Sequence, residues 1–389
     1  MGHVEESIAW LKELPRDEEP MRDECIDLKS FTHEELRQLM LEGFGQKKFR
    51  ADQVFGWLYQ HLALDMSEMT NLSKAFRAEL ERTANISPLE FTGMYPAADG
   101  TTKLTFKCHD NSVVETVFIP SEGRNTLCIS SQVGCAMGCT FCWTAKMGLH
   151  RNLTTAEIVE QVVQARRRMG DVNGHIGNIV FMGMGEPLHN YDNVVRAIHI
   201  LTEQKGLDFS RRKITVSTSG LVPALAKLGH DTDVNIAISL NATTDEQRSR
   251  IMPVNDRWDI DELIASLHAY PLEKRQRITI EYVMIQDFND SLEDAERLVK
   301  LLKGLPSKVN LIPFNPHPKS PFLPPAESVV DDFRDYLHSK NMSCFRRKTR
   351  GQDEMAACGQ LGKPGDRPEP PHVRKRLERF RREAEQHSS

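Results

Sequence analysis

Residues 134–148 read GCAMGCTFCWTAKMG and set Cys135, Cys139 and Cys142 in a C-x-x-x-C-x-x-C spacing. A structural zinc site takes four ligands, commonly two C-x-x-C pairs. An iron–sulfur cube held wholly by protein also takes four cysteines. Three thiolates on one short loop leave a coordination position open. Thiolates are soft ligands that suit zinc and iron–sulfur clusters, and three of them can hold three irons of a 4Fe–4S cube. A zinc site or scattered structural cysteines is the competing reading of these residues.

Short apolar strands alternate with amphipathic helices on both sides of the loop. NTLCISSQ (125–132) reads as a strand entering it, and TTAEIVEQVVQARRR (154–168) as a helix opened by a Thr154/Glu157 capping box. Strands GNIVFMGM, KITVSTSG, VNIAISLN, RITIEYVMI and KVNLIPFN follow, each succeeded by a helical pattern. The six βα units predict a parallel sheet with helices outside, an α/β fold built as a partial (β/α)6 barrel over 125–362. Chemistry then belongs at the C-terminal strand ends. Residues 1–28 read as an acidic, weakly ordered or loosely docked leader. Residues 29–95 read as a small helical accessory domain, with Ser30 or Thr32 as caps and Phe49, Val54, Phe55, Leu58 and Leu62 at helical spacing. TTKLTFKC and SVVETVFIP flank His109-Asp110-Asn111 as a β-hairpin within a 96–124 linker, and 363–389 is a Pro-rich, then basic, tail with a frayed helix.

The chain has 389 residues and 39% hydrophobic content, which fits a soluble globular protein. No run of about 18 apolar residues predicts a membrane span. The N-terminus lacks the charged and apolar regions of a secretory signal, so a cytoplasmic location is expected. Eight cysteines in such a chain point to ligands, catalysts or buried apolar residues before a disulfide framework. A net charge of −5 argues against a general polyanion binder. Basic clusters at Arg346–Arg350 and from Arg374 onward are either local nucleic-acid contacts or solvated helix faces.

The cysteine spacing resembles the signature of the radical S-adenosylmethionine (SAM) superfamily, in which the amino and carboxylate groups of SAM chelate the fourth iron. Gly183-Met184-Gly185-Glu186-Pro187, at the end of the next strand, resembles the glycine–glutamate element of that superfamily. Glycines let a backbone approach a ligand, and the Glu186 carboxylate can pair with the SAM ammonium. The resemblance implies SAM contacts from Gly185, Glu186, Ser217, Ser239, Leu240, Asn241 and Asn315; as residues alone, the polar ones at the strand mouths are equally turn or cap residues.

Cys128 and Cys358 stand apart from the loop. Small neighbours Ala356, Ala357 and Gly359 would let a ligand approach Cys358 closely. By residue type each is either a nucleophile or a buried free cysteine. With MGMGEPL, RRKITVSTSG, IEYVMI, VNLIPFNP, RKTRG and AACGQL they form a set that resembles the RlmN-type adenine-C2 methyltransferases of 23S rRNA and tRNA, over roughly 29–362. The sister Cfr type methylates C8. Asn241, where the family usually has His, and Trp143, where a small residue is common, are departures. The resemblance implies that Cys358 takes a methyl from one SAM and that a second SAM is cleaved to a radical, which activates the S-methyl group. That carbon adds to adenine C2, and Cys128 then releases the product through a transient disulfide with Cys358. Glu115 matches the proton acceptor, although by type it reads as an exposed strand carboxylate. The same resemblance implies 23S rRNA and tRNA partners, an electron donor of flavodoxin or ferredoxin type, and a monomer. An iron–sulfur electron carrier or RNA-binding module is the non-enzymatic alternative, and it would want a fourth cluster cysteine.

Overall fold

The protein is described by a computed structural model covering residues 3–15, 19–21, 24–173, 175–318, 320–362 and 370–387. The chain opens with α1 (His3–Glu13), α2 (His33–Gln38), α3 (Phe49–Tyr59) and α4 (Lys74–Thr83). Thr32, not Ser30, caps α2: its Oγ1 accepts from Glu35 N at 3.4 Å, and the Glu35 carboxylate accepts from Thr32 N at 2.8 Å. Val54, Phe55 and Leu58 of α3 are buried as their spacing predicts, whereas Phe49 is 48% exposed at the helix start. The acidic leader differs from expectation. It contains α1, and Val4 and Ile8, one turn apart, are buried. The acidic residues between them obscured that stripe.

One ten-stranded sheet forms the centre. Its strands are β1 (Glu90–Pro96), β2 (Thr102–Lys107), β3 (Val113–Ile119), β4 (Asn125–Cys128), β5 (Ile176–Phe181), β6 (Ile214–Thr218), β7 (Asn235–Ser239), β8 (Ile278–Met284), β9 (Ser307–Pro313) and β10 (Cys344–Arg346). Spatial order follows chain order from β1 to β10. β4 to β10 run parallel, and β1 to β4 pair antiparallel. The expected hairpin is therefore β2–β3, and it extends the barrel sheet instead of standing apart. β1 lies within the stretch read as helical. Its residues alternate between half-buried and exposed, a strand period that the helical pattern before it masked.

α5 (Thr155–Asn173), α6 (Tyr191–Thr202), α7 (Val222–Asp231), α8 (Asp245–Ile251), α9 (Ile260–Ala269), α10 (Leu292–Leu301) and α11 (Glu327–Ser339) connect the parallel strands, and α12 (Pro371–His387) ends the chain. The capping box of α5 is formed, with Thr154 Oγ1 accepting from Glu157 N at 3.2 Å and the Glu157 carboxylate accepting from Thr154 N at 2.9 Å. The basic tail contains α12; the Pro-rich part, 363–369, lies outside the described residues. No helix among the described residues is long and apolar enough to cross a membrane.

The N-terminal helices are joined to the barrel by a charge pair with no solvent access: Lys29 Nζ donates to Glu160 of α5, and both side chains are 0% exposed. Gln164 Nε2 donates to the other Glu160 oxygen at 2.6 Å. Removing one partner leaves the other charge buried and unpaired, which typically costs about 3–5 kcal/mol. Lys29→Met should therefore lower unfolding free energy by about that amount in a denaturant titration, and adding Glu160→Leu should recover most of it. Equal losses in the single and double variants would refute this account.

Candidate active site

The cysteine loop leaves β4 through a two-stranded ribbon, Gln132–Gly134 against Leu149–Asn152. Its neck closes at Gly134. Cys135 N donates to Gly148 O at 3.0 Å. Gly134 has φ +76°, and a Cβ there would lie 1.8 Å from Gly148 O, so no other residue fits. Thr140 N donates to Ile251 O at 2.9 Å, which pins the loop to the end of α8.

Cys135, Cys139 and Cys142 face a cavity at the carboxyl ends of the strands. Burial pushes all three thiols up; the other loop cysteines add to it for Cys135 and Cys139, while the N–H groups of Ala145 and Thr144 pull Cys142 partly back. Among the described residues no three His, Cys, Asp or Glu side chains are grouped as ligands of one metal ion. A cube asks for a different arrangement, one iron per thiolate.

Gly185, Glu186, Ser217, Ser239, Asn241 and Asn315 line the same cavity, as the sequence predicts. Their bonding is more specific than the prediction. Gly185 has φ +102°, and a Cβ would lie 2.5 Å from Gln132 Cβ. The Glu186 carboxylate accepts from Leu188 N at 3.1 Å and Ser219 N at 2.7 Å, so it ties the end of β5 to the end of β6. Burial raises Glu186, and those N–H groups oppose the shift. Asn241, at φ +57°, accepts from Val283 N at 2.8 Å. Leu240 does not line the cavity; its side chain is fully buried in the core, and its N–H donates to Glu281 O at 3.1 Å.

Cys358 also lines this cavity, and with Cys128 it lines a smaller adjoining one. Both are free thiols. Burial, then the neighbouring Cys358, pushes the Cys128 thiol to about 12. Burial also raises Cys358, and the Arg347 guanidinium opposes it. The loop carrying Cys358 is held on two sides. Trp143 N donates to Gly359 O at 2.6 Å and Thr144 Oγ1 to Leu361 O at 2.7 Å, while Asn315 Nδ2 donates to Cys358 O at 3.1 Å.

Glu115 lines neither cavity. It is buried, not the exposed strand carboxylate its type implies, 3.7 Å from Lys103 Nζ, and accepts from Gly362 N at 2.9 Å. Two charged residues on the cavity escaped the sequence reading. Glu281 of β8 is buried, accepts from Asn310 Nδ2 at 3.0 Å and lies 3.9 Å from Arg347 Nη1. The signal for Glu281 was a carboxylate inside an otherwise apolar strand. Arg347 was hidden in a basic run. Arg248, fully buried, braces the cavity by donating to Ser219 O at 2.6 Å and Leu240 O at 3.1 Å.

Comparison with known proteins places this arrangement first in a class. The family model for the radical SAM superfamily matches residues 129–302, and that for the ribosomal RNA large subunit methyltransferase N-terminal domain matches 26–86. A crystal structure of a radical SAM methyltransferase from Sphaerobacter thermophilus superposes with a TM-score of 0.84 at 44% identity, covering 86% of this chain and 99% of that one. The dual-specificity RNA methyltransferase RlmN of Geotalea uraniireducens is 55% identical over 87% of this chain and 97% of its own. That of Pelobacter propionicus is 53% identical over 87% and 96%. The chain belongs to the RlmN family of radical SAM enzymes. The cofactors of the superfamily are a 4Fe–4S cluster and SAM, and the donor set fits them: three thiols, a glycine-lined strand end and polar strand mouths line one cavity.

Gly134→Ala should open the loop neck, since the added strain of about 1–2 kcal/mol comes with a direct clash. Iron content after anaerobic reconstitution should fall well below wild type while the far-ultraviolet circular dichroism is kept. Full iron content in the variant would count against this reading of the neck.

Proposed function

We propose that this chain methylates C2 of an adenine in 23S rRNA, and of the adenine 3′ of the anticodon in tRNA, through a methylated Cys358 and with two SAM consumed per turnover. The observation that supports it best is the pair of free thiols, Cys358 and Cys128, on a small cavity that adjoins the cavity of the three loop cysteines. Adenine C2 has no nucleophilic lone pair, so ordinary methyl displacement does not reach it.

Cys135, Cys139 and Cys142 are assigned as the cluster ligands, and Gly185, Glu186, Ser217, Ser239, Asn241 and Asn315 as the wall around SAM. Cys358 gives up its thiol proton and attacks the methyl carbon of SAM, S-adenosylhomocysteine leaves, and the adjacent guanidinium of Arg347 favours the thiolate. When bound, the cluster and a second SAM supply an organic radical that takes one hydrogen atom from the Cys358 S-methyl group. The resulting carbon bonds to C2; one electron leaves, to be taken up by the cluster when bound, and the C2 proton passes to a base. Cys128 gives up its thiol proton and attacks the Cys358 sulfur; the carbon–sulfur bond breaks with its electron pair on the CH2 carbon, which takes up a proton to become the methyl group, and a Cys128–Cys358 disulfide forms, which a thiol reductant resets. Glu115 is assigned as the base. Glu115 lines neither cavity, which gives a second reading its support: Glu281 lines the larger cavity itself and competes for that role.

RNA is a partner on this reading. The N-terminal helical segment, 29–95, is assigned to RNA docking, with exposed Lys47, Lys48 and Phe49 at one tip. Lys47→Gln/Lys48→Gln should weaken tRNA binding severalfold in a filter or anisotropy assay; unchanged affinity would remove this tip from the interface.

The reaction itself is tested by anaerobic incubation with SAM, reductant and unmodified RNA, followed by nuclease digestion and mass spectrometry. 2-Methyladenosine is expected from wild type and none from Cys358→Ala. Cys128→Ala should leave RNA covalently attached to the protein. Of Glu115→Gln and Glu281→Gln, the variant that accumulates RNA adduct identifies the base. 8-Methyladenosine would move the chain to the sister chemistry.

A further inference from the structure

The basic tail has a defined place. α12 lies on the barrel through Val373 and Leu377, which are 0% and 1% exposed. Phe380 packs on Phe322 and Phe288 with ring centroids 4.8 and 5.6 Å apart. Arg376 donates to Ser249 O at the end of α8 and pairs with Asp256. The start of the helix reaches the cysteine loop: a Cβ on Gly138, the residue before Cys139, would lie 2.6 Å from His372 Nε2. An aromatic series continues the contact, from Phe380 through Phe322, Phe314 and His317 to Trp143, with successive centroids 4.8, 5.9, 5.8 and 5.1 Å apart. α12 is thus fixed at the rim of the active-site cavity.

Its outer face is cationic. Arg374, Lys375 and Arg382 are exposed. Arg374 and Arg382 share one counter-charge, Glu378, at 3.9 and 4.0 Å. This face stands out on a chain whose net charge is −5. A tail that served only to cover the apolar rim would need the inner face alone.

We propose that the outer face of α12 is a clamp for the phosphate backbone of the substrate RNA at the rim of the catalytic cavity. It rests on the reading of the chain as an RNA methyltransferase. A base that enters the cavity is drawn out of its strand, and its flanking phosphates remain outside, on the side where α12 begins beside the cysteine loop and carries Arg374, Lys375 and Arg382 exposed along its length. An acidic electron-transfer protein is the other partner such a face fits. RNA is favoured because the strand must cross this rim in every turnover.

The test is RNA affinity of the full-length protein from about 50 to 200 mM salt. Each lost phosphate contact lowers the slope of log K against log salt by about 0.7–0.9. Arg374→Gln/Lys375→Gln/Arg382→Gln should lower the slope by about 2 and weaken binding about tenfold at low salt. Arg374→Lys/Arg382→Lys, which keeps the charges, should retain the wild-type slope. Equal slopes and affinities for wild type and the Gln variant overturn the clamp alone. Wild type without RNA affinity overturns both the clamp and the reading it rests on. A Gln variant with the wild-type RNA slope and slower reduction by an acidic flavoprotein overturns the clamp in favour of that partner.

Discussion

The catalytic face depends on how the strand ends satisfy their backbone. A parallel strand that stops leaves N–H and C=O groups without ladder partners, and buried ones must find others. Here side chains from neighbouring connections take them. Glu186 receives two N–H groups, and Arg248 reaches the carbonyls beyond β6 and β7. Asn289 donates to the carbonyls of Asn241 and Val283, both at 2.7 Å, and Asn190 donates to those of Ser131 and Leu153 at 2.8 and 2.7 Å. Several of these bonds join one strand end to another, so the mouth is braced before any ligand arrives. Preorganisation of this kind keeps a site within the tolerance that chemistry needs.

The same bonds explain what the sequence could and could not say. Strand–helix alternation is a property of local periodicity, so the βα series and the position of the cysteine loop were legible. Polar residues at the strand mouths were legible as a class because the parallel sheet brings every such end to one edge. Their tasks were not: Asn241 and Glu186 hold backbone groups contributed by residues far from them in the chain. Leu240 fails for the opposite reason, since a residue between two cavity-facing neighbours turns to the core. α1 and β1 were lost where acidic residues or an adjoining helical pattern masked short stripes. Glu281 and Arg347 were missed because a pair separated in sequence announces itself only through pairing.

That pair sets the electrostatics of the thiols. A guanidinium alone beside Cys358 would strongly favour the anion in a buried site. Glu281, 3.9 Å from Arg347, offsets it. The larger cavity carries the Glu281 and Glu186 carboxyl groups together with the Arg347 guanidinium. It still presents a cation to the sulfur when the thiol proton leaves. Replacing either partner would leave an uncompensated charge against the two cysteines, a larger disturbance than the 3.9 Å contact itself.

The anchoring of the Cys358 loop bears on how one sulfur can act twice. Its backbone is tied to the cysteine loop through Gly359 and Leu361 and to the end of β9 through Asn315. All three bonds hold the main chain, and none holds the sulfur. Cys358 borders both the large cavity and the smaller one it shares with Cys128. On the proposed chemistry the sulfur must face SAM to be methylated and Cys128 to be released. Rotation about one side-chain bond exchanges those positions among staggered rotamers, so the main chain can stay fixed while the sulfur moves. On that chemistry a fixed main chain would hold the methyl-derived carbon in register with the cluster side of the cavity. The mobile side chain lets the same residue finish the reaction on the other side.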